Sequence, residues 1–535
     1  MSASVPAGGA PGGNSDKAAD MAVGRTWQRA GWQGAAALSL LLAVATRSAG
    51  EAGLSLSEAV QQTLAGSPSV RLQAESVVAA RGQLQAASGQ FDWVLASRAE
   101  RVSAATPTLT ATGLATPRQD QEHYGLSLTR TFRSGIVVSP GLTVQRADGL
   151  RGPAGPYDLS TSALQLVIPL QRGWGEAATA ADEQAARVEV VAALEAQVHG
   201  VSTQVAATGY AFYACLAARE ELAIRRAAEE LTVSSMDAVR AMITATMLDP
   251  ADLLQARAVV ASKQAQRRAA EALLQTRRYQ LGAAMGYPPD QVDRTPEPTG
   301  TFPEPVSAEA LARLDPADCV RQSLANRGDL AAARQRLASA GIALSQARQE
   351  LRPQLDLDLQ AGYAGYREEG RLASTYSDLS GPNVQVGLRL GLPVRNDMAR
   401  GYVTSRQAAR RQAEARAALL ASQIAAEILA ALEDLRAGID QYRLVADGEA
   451  IFQQAFAHEQ KKLNTGASSL SDVLQLQDRY TEVRLARVAA LEACANALIR
   501  LRLVTGTLLE RQGDQACLDV DRLVHLPYSE LRGQP

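Results

Sequence analysis

The chain is poor in the raw material of catalysis. Four histidines occur in 535 residues, and the sequence holds no phosphate-cradling GxxxxGK[ST] loop, no GxSxG elbow and no HExxH pair. Cys215, Cys319, Cys494 and Cys517 stand far apart with no CxxC, which excludes a zinc ribbon, a thioredoxin-like motif and a dense disulfide scaffold. Aromatics make up only 4%, little for a globular enzyme of this size. A net charge of -2 leaves no basic surface for nucleic acid. Beyond the N-terminal region no uninterrupted apolar stretch reaches ~20 residues, so no helix is expected to cross a bilayer. Together these absences point away from an enzyme, and neither a cofactor nor a metal is expected. Hydrophobic content is 46%, ample for a large core.

The N-terminus reads as an address. Residues 1–20 are small and polar. Arg25 and Arg29 then precede an apolar run from Ala35 to Ala45, followed by Thr-Arg-Ser-Ala-Gly. Basic, then apolar, then small is the secretory signal pattern, and the run is about half the length a spanning helix needs. Residues 1–50 are therefore expected to be a disordered leader with a signal peptide.

The rest of the chain is written twice. At an offset of 260, Leu54, Val60, Gln62, Leu64, Ala65, Ala80, Leu84 and Ala87 match Leu314, Val320, Gln322, Leu324, Ala325, Ala340, Leu344 and Ala347. At an offset of 220, Asp252-Leu253-Leu254-Gln255 meets Asp472-Val473-Leu474-Gln475. Between them, the strand-like run ending at Pro169 resembles the one ending at Pro393. Internal repetition at this spacing predicts a tandem duplication, with repeats at 51–286 and 314–510, a Pro- and acid-rich linker at 287–313, and a tail at 511–535.

Each repeat opens with an amphipathic helix, continues through extended segments, and passes a proline into a very long helix. No proline interrupts 171–248 or 394–526, so helices over 176–246 and 399–464 are expected, each about 100 Å long at 1.5 Å per residue. Val473, Leu476, Tyr480, Val483, Arg487, Ala490, Cys494, Ala497, Leu501, Val504 and Leu508 alternate steps of three and four, a heptad seam with one charged interruption. Cys494 reads as a small buried seam residue.

The extended segments alternate. Leu355, Leu357, Leu359 and Ala361 share one face against Asp356, Asp358 and Gln360; Val384, Val386, Leu388 and Leu390 oppose Gln385 and Arg389. Such a dyad suits a transmembrane β-barrel or a half-buried soluble sheet. If the strands span a membrane, Asp356, Asp358 and Arg389 line the lumen. The expected count of about four strands per chain cannot close a barrel, whose minimum is eight, and an open edge is not tolerated in lipid. Several chains must then share one barrel: a dimer would give eight strands, a trimer twelve. Residues 100–160 hold a further hairpin, 124–133 and 136–146, that reads equally as an extracellular loop or as barrel strands.

The segments LSLSEAVQQTLAGSPSV, LVIPLQRGWG, LRLGLPVRN, KKLNTGASSLSDVLQLQDRY and LARVAALEACANALIRLRLVTG resemble the TolC-like outer-membrane efflux proteins, over about residues 52–510. The resemblance implies an α+β membrane protein: a homotrimer with a 12-stranded β-barrel in outer-membrane lipid, continuous with a periplasmic α-helical tunnel. It implies a passive exit channel of a tripartite efflux or type I secretion system, partnered by a periplasmic adaptor and, through it, an inner-membrane transporter. The alternative is a periplasmic coiled-coil adaptor or helical scaffold without a barrel. The resemblance further places adaptor-contact tips at Asn464, Thr465, Gly466 and Ala467 and at Thr246, Met247 and Leu248, with Asp472 and its repeat partner Asp252 near the constriction. Gln475 stands where some members carry a second acid. Both aspartates follow a turn and begin a helix, so helix capping is an equally direct reading of them.

Overall fold

The computed structural model describes residues 53–526 apart from 106, 111–112, 116–117, 149–156, 245–249, 369–378, 380, 466, 513–514 and 518–520. The expected leader and the tip residues Thr246, Met247, Leu248 and Gly466 lie outside the described residues, as do the side chains of Asp252 and Asn464.

One order of elements occurs twice. Helices α1 (Leu56–Gly66) and α2 (Pro68–Ser88) lead into strands, then into α3 (Ala181–Thr244) and α4 (Pro250–Met285). Helices α5 (Pro316–Asn326) and α6 (Gly328–Gln349) do the same before α7 (Asp397–Asn464) and α8 (Leu470–Thr505). Helix α1 starts with a full capping box: Ser55 Oγ accepts from Glu58 N, and the Glu58 carboxylate accepts from Ser55 N. The corresponding Thr63 and Ser323 are fully buried and satisfied locally, each hydroxyl donating to the carbonyl four residues back at 2.8 Å.

The long helices reach 64 and 68 residues, about 100 Å each. The first begins at Ala181, five residues later than expected, because a separate short turn over Glu176–Thr179 precedes it. The second begins at Asp397 after Asn396, which takes a left-handed φ of 49° that Asn tolerates. Its side-chain amide donates to the Leu351 carbonyl at 3.3 Å, so the strand-to-helix corner is held to the helix that enters the sheet.

Two hydrophobic cores flank α8. One gathers Val205, Phe212, Leu216, Leu281, Met285, Ala495 and Ile499; the other gathers Ile424, Ile428, Leu432, Leu435, Cys494, Leu498 and Leu501. The heptad seam is buried at Val473, Ala490, Cys494, Ala497, Leu501 and Val504. Its charged interruption, Arg487, is exposed and pairs with Glu449 of α7 at 2.9 Å. Helix α7 contains one window long and apolar enough to cross a membrane by length and composition alone, although it holds no uninterrupted apolar run of ~20 residues. Its exposed Leu419, Leu444 and Ile451 face away from both cores.

Among the described residues the main sheet is one antiparallel meander of six strands, not four: β1 (Val94–Ala105), β2 (Arg118–Thr131), β3 (Val137–Asp148), β4 (Tyr157–Pro169), β5 (Gln354–Glu368) and β6 (Gly381–Gly391). The hairpin that the sequence left open is β2–β3, paired on both sides within the main sheet. A two-strand flap, Thr108–Thr110 with Gly113–Ala115, joins β1 to β2. The β2–β3 ladder breaks between the pairs Ser127↔Gly141 and Arg130↔Val138, where Pro140 has no N–H to give. There Ser139 Oγ donates across to Thr129 Oγ1 at 3.0 Å.

The helix end of the sheet is bolted to the helices through the β2–β3 turn. Gly135 adopts φ 92°, and a Cβ there would lie 2.0 Å from the Gly173 carbonyl, so only glycine fits. Gly175 N donates to Ser134 O at 2.9 Å. Arg133 grips Glu183 in the first turn of α3 with Nε and Nη2 at 2.7 and 3.0 Å. Glu183 is 3% exposed, and Arg187 one turn on adds a second cation at 2.5 Å. The Arg133 hydrogen bonds, opposed by desolvation and helped by Arg187, hold the Glu183 carboxyl below its usual range. Its contribution to stability is therefore present above the ordinary Glu pKa and is lost as pH falls through the depressed folded value. Replacing Glu183 by Gln is expected to cost about 1–2 kcal/mol near neutrality, a figure discounted because Arg133 is half-exposed. The difference from wild type should shrink below about pH 4; thermal melts of both proteins across pH 3–8 measure it.

Candidate functional site

The candidate site is the end of the molecule where the long helices turn. Helix α7 closes with Lys461 and Lys462 in its last turn, cations at the negative end of the helix dipole. The Lys462 carbonyl accepts from Thr465 N at 3.1 Å, Thr465 Oγ1 at 2.9 Å and Ala467 N at 2.9 Å, so the turn folds back on one acceptor. Helix α8 then opens at Leu470 with Ser469 as its N-cap: Ser469 Oγ accepts from Asp472 N at 3.2 Å and donates to Asp472 Oδ2 at 2.6 Å. Asp472 is thus not the cap that its place after a turn suggested. The helix begins two residues before it, and Asp472 occupies the first turn, where a carboxylate is favoured by the dipole.

Glu459, one turn back on α7, ties the corner together. Ser468 Oγ donates to its Oε1 at 2.5 Å, and Lys462 Nζ approaches Oε2 at 3.1 Å. These two interactions hold the Glu459 carboxyl below its usual range, against desolvation and a smaller opposing push from Asp472. Two of the four lysines in the chain therefore sit at this tip.

The helices that flank the two turns pack together. Leu474 is buried against Ala256, with Met236, Ile243, Val259 and Leu463 around them. Behind this patch Gln477, 1% exposed, donates to Thr232 Oγ1 at 2.7 Å and to the Ala228 carbonyl at 3.0 Å. Lys263 Nζ, from the buried side of α4, pairs with Asp478 at 2.5 Å. Sequence reasoning missed this polar clasp between the hairpins. Its available signal was Gln477 on the buried side of the α8 seam and a lone lysine in an arginine-rich chain. Asp472 and Gln475 lie on the exposed side of α8, three residues apart and so on one face. Asp252 lies in the first turn of α4, which starts at Pro250; its side chain is outside the described residues, so the structure pairs only its helix position with that of Asp472. Thr465 and Ala467 are exposed at the tip.

Asp356, Asp358 and Arg389 share one face of the sheet. Asp356 is 6% exposed and accepts from Gln354 Nε2 at 2.7 Å. Asp358 meets Arg389 at 3.2 Å across β5–β6. The opposite face carries Leu357 directly across from Leu388, and Leu359 across from Val386.

Comparison with known proteins agrees with this architecture. Residues 319–507, within the second repeat, match the family model described as Outer membrane efflux protein. The chain is 28% identical over 302 residues to the Pyoverdine export outer membrane protein OpmQ of Pseudomonas putida, covering 53% of this chain and 59% of that relative; the chain thus aligns with about three-fifths of the relative's length. Its fold is shared with the outer membrane protein VceC of Vibrio cholerae, with TM-score 0.63, 18% identity, and 84% and 96% of the two chains covered. It is equally shared with the CmeC outer membrane channel of Campylobacter jejuni, with TM-score 0.63, 14% identity and 90% of each chain. The resemblance read in the sequence holds.

The cap geometry separates two roles at the tip. Ser469→Ala should destabilise the start of α8 by about 1 kcal/mol, read as faster amide hydrogen exchange over residues 470–474. Asp472→Asn keeps an acceptor for Ser469 and should change that exchange by less than half as much.

Proposed function

We propose that this chain, similar to the TolC-like outer-membrane efflux proteins in its matched domain and its fold, is the outer-membrane duct of a tripartite efflux or type I secretion system. It is a passive exit path and not a catalyst. Three copies share one β-barrel in outer-membrane lipid, and their long helices form a tunnel into the periplasm. A periplasmic adaptor engages the helical tips, and an inner-membrane transporter delivers cargo through it.

The observation that carries this reading is a sheet with an exposed apolar face and two open edges, built onto helices of about 100 Å. On β6, Val384, Val386, Leu388 and Leu390 are each about two-thirds exposed or more. Such a face is stable in lipid, and its open edges are tolerated there only if further copies pair with them. The exposed Leu419, Leu444 and Ile451 of α7 supply a seam for a neighbouring copy along the tunnel. An adaptor or a helical scaffold has no use for the apolar sheet face. Fractionation should recover the protein in the outer membrane, and native mass spectrometry from detergent should weigh three chains. Recovery as a soluble periplasmic monomer defeats the reading.

Within that assembly, Asp472 lies beside the closed tip, one copy from each chain around the axis, with Gln475 one turn further in and Asp252 as its repeat counterpart. Thr465, Gly466 and Ala467, with Asn464 and the first-repeat turn Thr246, Met247 and Leu248, form the adaptor contact. Asp356, Asp358 and Arg389 face the barrel lumen. A carboxylate ring in a narrow aperture attracts cations. Asp472→Asn should therefore reduce cation selectivity and weaken block by a trivalent cation in single-channel recordings, with little change in melting temperature. Unchanged selectivity would remove Asp472 from the gate.

A further inference from the structure

We infer that the hairpin β2–β3 is part of the membrane wall, so that each chain gives six strands and the shared barrel of three chains has eighteen. The inference rests on the channel reading above and concerns the make-up of its barrel.

Three features of the sheet carry it. The first is the lower end of the hairpin. Its turn, residues 132–136, is the segment bolted to α3 by Arg133–Glu183 and packed against Gly173, and Arg130 Nε donates to the Phe91 carbonyl at 3.0 Å where β1 begins. The hairpin therefore starts at the level where every other strand leaves the helices. A loop displayed at the far end of a barrel would have no contact there.

The second is the continuity of both faces. Register places Leu128 across from Leu95, Leu126 across from Leu142, and Val138 across from Leu166, all on the face of Leu357 and Leu388. The other face of the hairpin carries Gln121, His123, Ser127, Thr129, Thr143 and Gln145, in line with Gln165, Gln360 and Gln385. In the hairpin Leu126, Leu128, Val138, Leu142 and Val144 keep to the first face and the polar residues to the second, with Arg130 interrupting the apolar face near the turn, and a one-residue slip would have exchanged the faces. Strands β2 and β3 have 14 and 12 residues, beyond the ~9–11 a tilted spanning strand needs.

The third is the upper end. On the apolar face one cross-strand row reads Arg101, Glu122, Arg146, Asp158, Arg367, each directly opposite the next from β1 to β5. Signs alternate at every step. Arg101 lies 3.6 Å from Glu122, and Arg146 grips the nearly buried Asp158 at 2.8 Å. Opposite charges directly across a ladder stabilise it, and a charged row on the outward face marks where the apolar band ends. Two of its five members belong to the hairpin, which thus shares the upper boundary of the band as well as the lower.

The topology accepts the insertion because a whole hairpin preserves strand direction: β1 and β4 run opposite ways with or without it. Barrel diameter grows about linearly with strand number, so eighteen strands give a lumen about 1.5 times as wide as twelve would, in the range that leaves an aqueous channel.

Single cysteines placed in the hairpin test its position, in a chain whose Cys215, Cys319 and Cys494 are buried. In intact cells a membrane-impermeant maleimide should label Ser127→Cys and Thr143→Cys through the lumen at least tenfold faster than Leu126→Cys and Leu142→Cys, which face lipid. Cryo-electron microscopy in nanodiscs should count eighteen strands. A trimer with twelve strands, or equal labelling at all four positions, overturns the inference and leaves the channel reading intact. Face-dependent labelling in an assembly of some other number of chains upholds six strands per chain and defeats the trimer instead.

Discussion

The architecture depends on one helix being buried from two sides. Ala495 and Ile499 of α8 enter the core built by α1, α3 and α4, whereas Cys494, Leu498 and Leu501 enter the core built by α5 and α7. Ala495 and Cys494 are small, and opposite the larger Ile499 it is α3 that gives way. At Gly209 of α3 a Cβ would lie 2.8 Å from Ile499 Cδ1, so glycine is used in mid-helix despite its propensity cost. An isolated helix of this length has no reason to stay straight in water. Here the two hairpins stiffen one another because they share α8, and the clasp of Gln477 with Thr232 and Lys263 with Asp478 extends the union to the tip.

The sheet answers a different constraint. Its residues must satisfy backbone hydrogen bonds at the same time as they separate an apolar from a polar face, and the antiparallel register does both. The one break in the ladder falls at Pro140, and a hydroxyl pair bridges it. The sheet is tied to the helices at its lower end by the Arg133–Glu183 bolt and by the left-handed corner at Asn396. At the other end of the molecule, Ser469 holds the exposed carboxylate of Asp472, and Glu459 pairs with Lys462.

Much of this was legible in the sequence because it is local or periodic. The alternation in β5 and β6 set their faces, the three-four stepping of α8 set its buried seam, proline-free stretches set the long helices to within a few residues, and the offsets of 260 and 220 revealed the duplication. The motif PVRN already contained the asparagine that the corner before α7 needs. Short-range chemistry was partly visible as well: Asp472 after a turn announced a helix start, though the cap proved to be Ser469, because which of several polar residues closes a helix depends on backbone angles that spacing does not specify.

What only the tertiary structure decided is what depends on partners distant in the chain. The strand count rose from four to six because pairing with β1 and β4 makes β2 and β3 members of the main sheet. The charged ladder from Arg101 to Arg367 is invisible in one dimension, since each pair lies tens to hundreds of residues apart and exists only in a particular register. Arg133–Glu183 and Lys263–Asp478 are of the same kind: any of the many arginines and glutamates is a plausible partner until packing selects one. Periodicity determines which side of an element is apolar, whereas register and packing determine what that side meets.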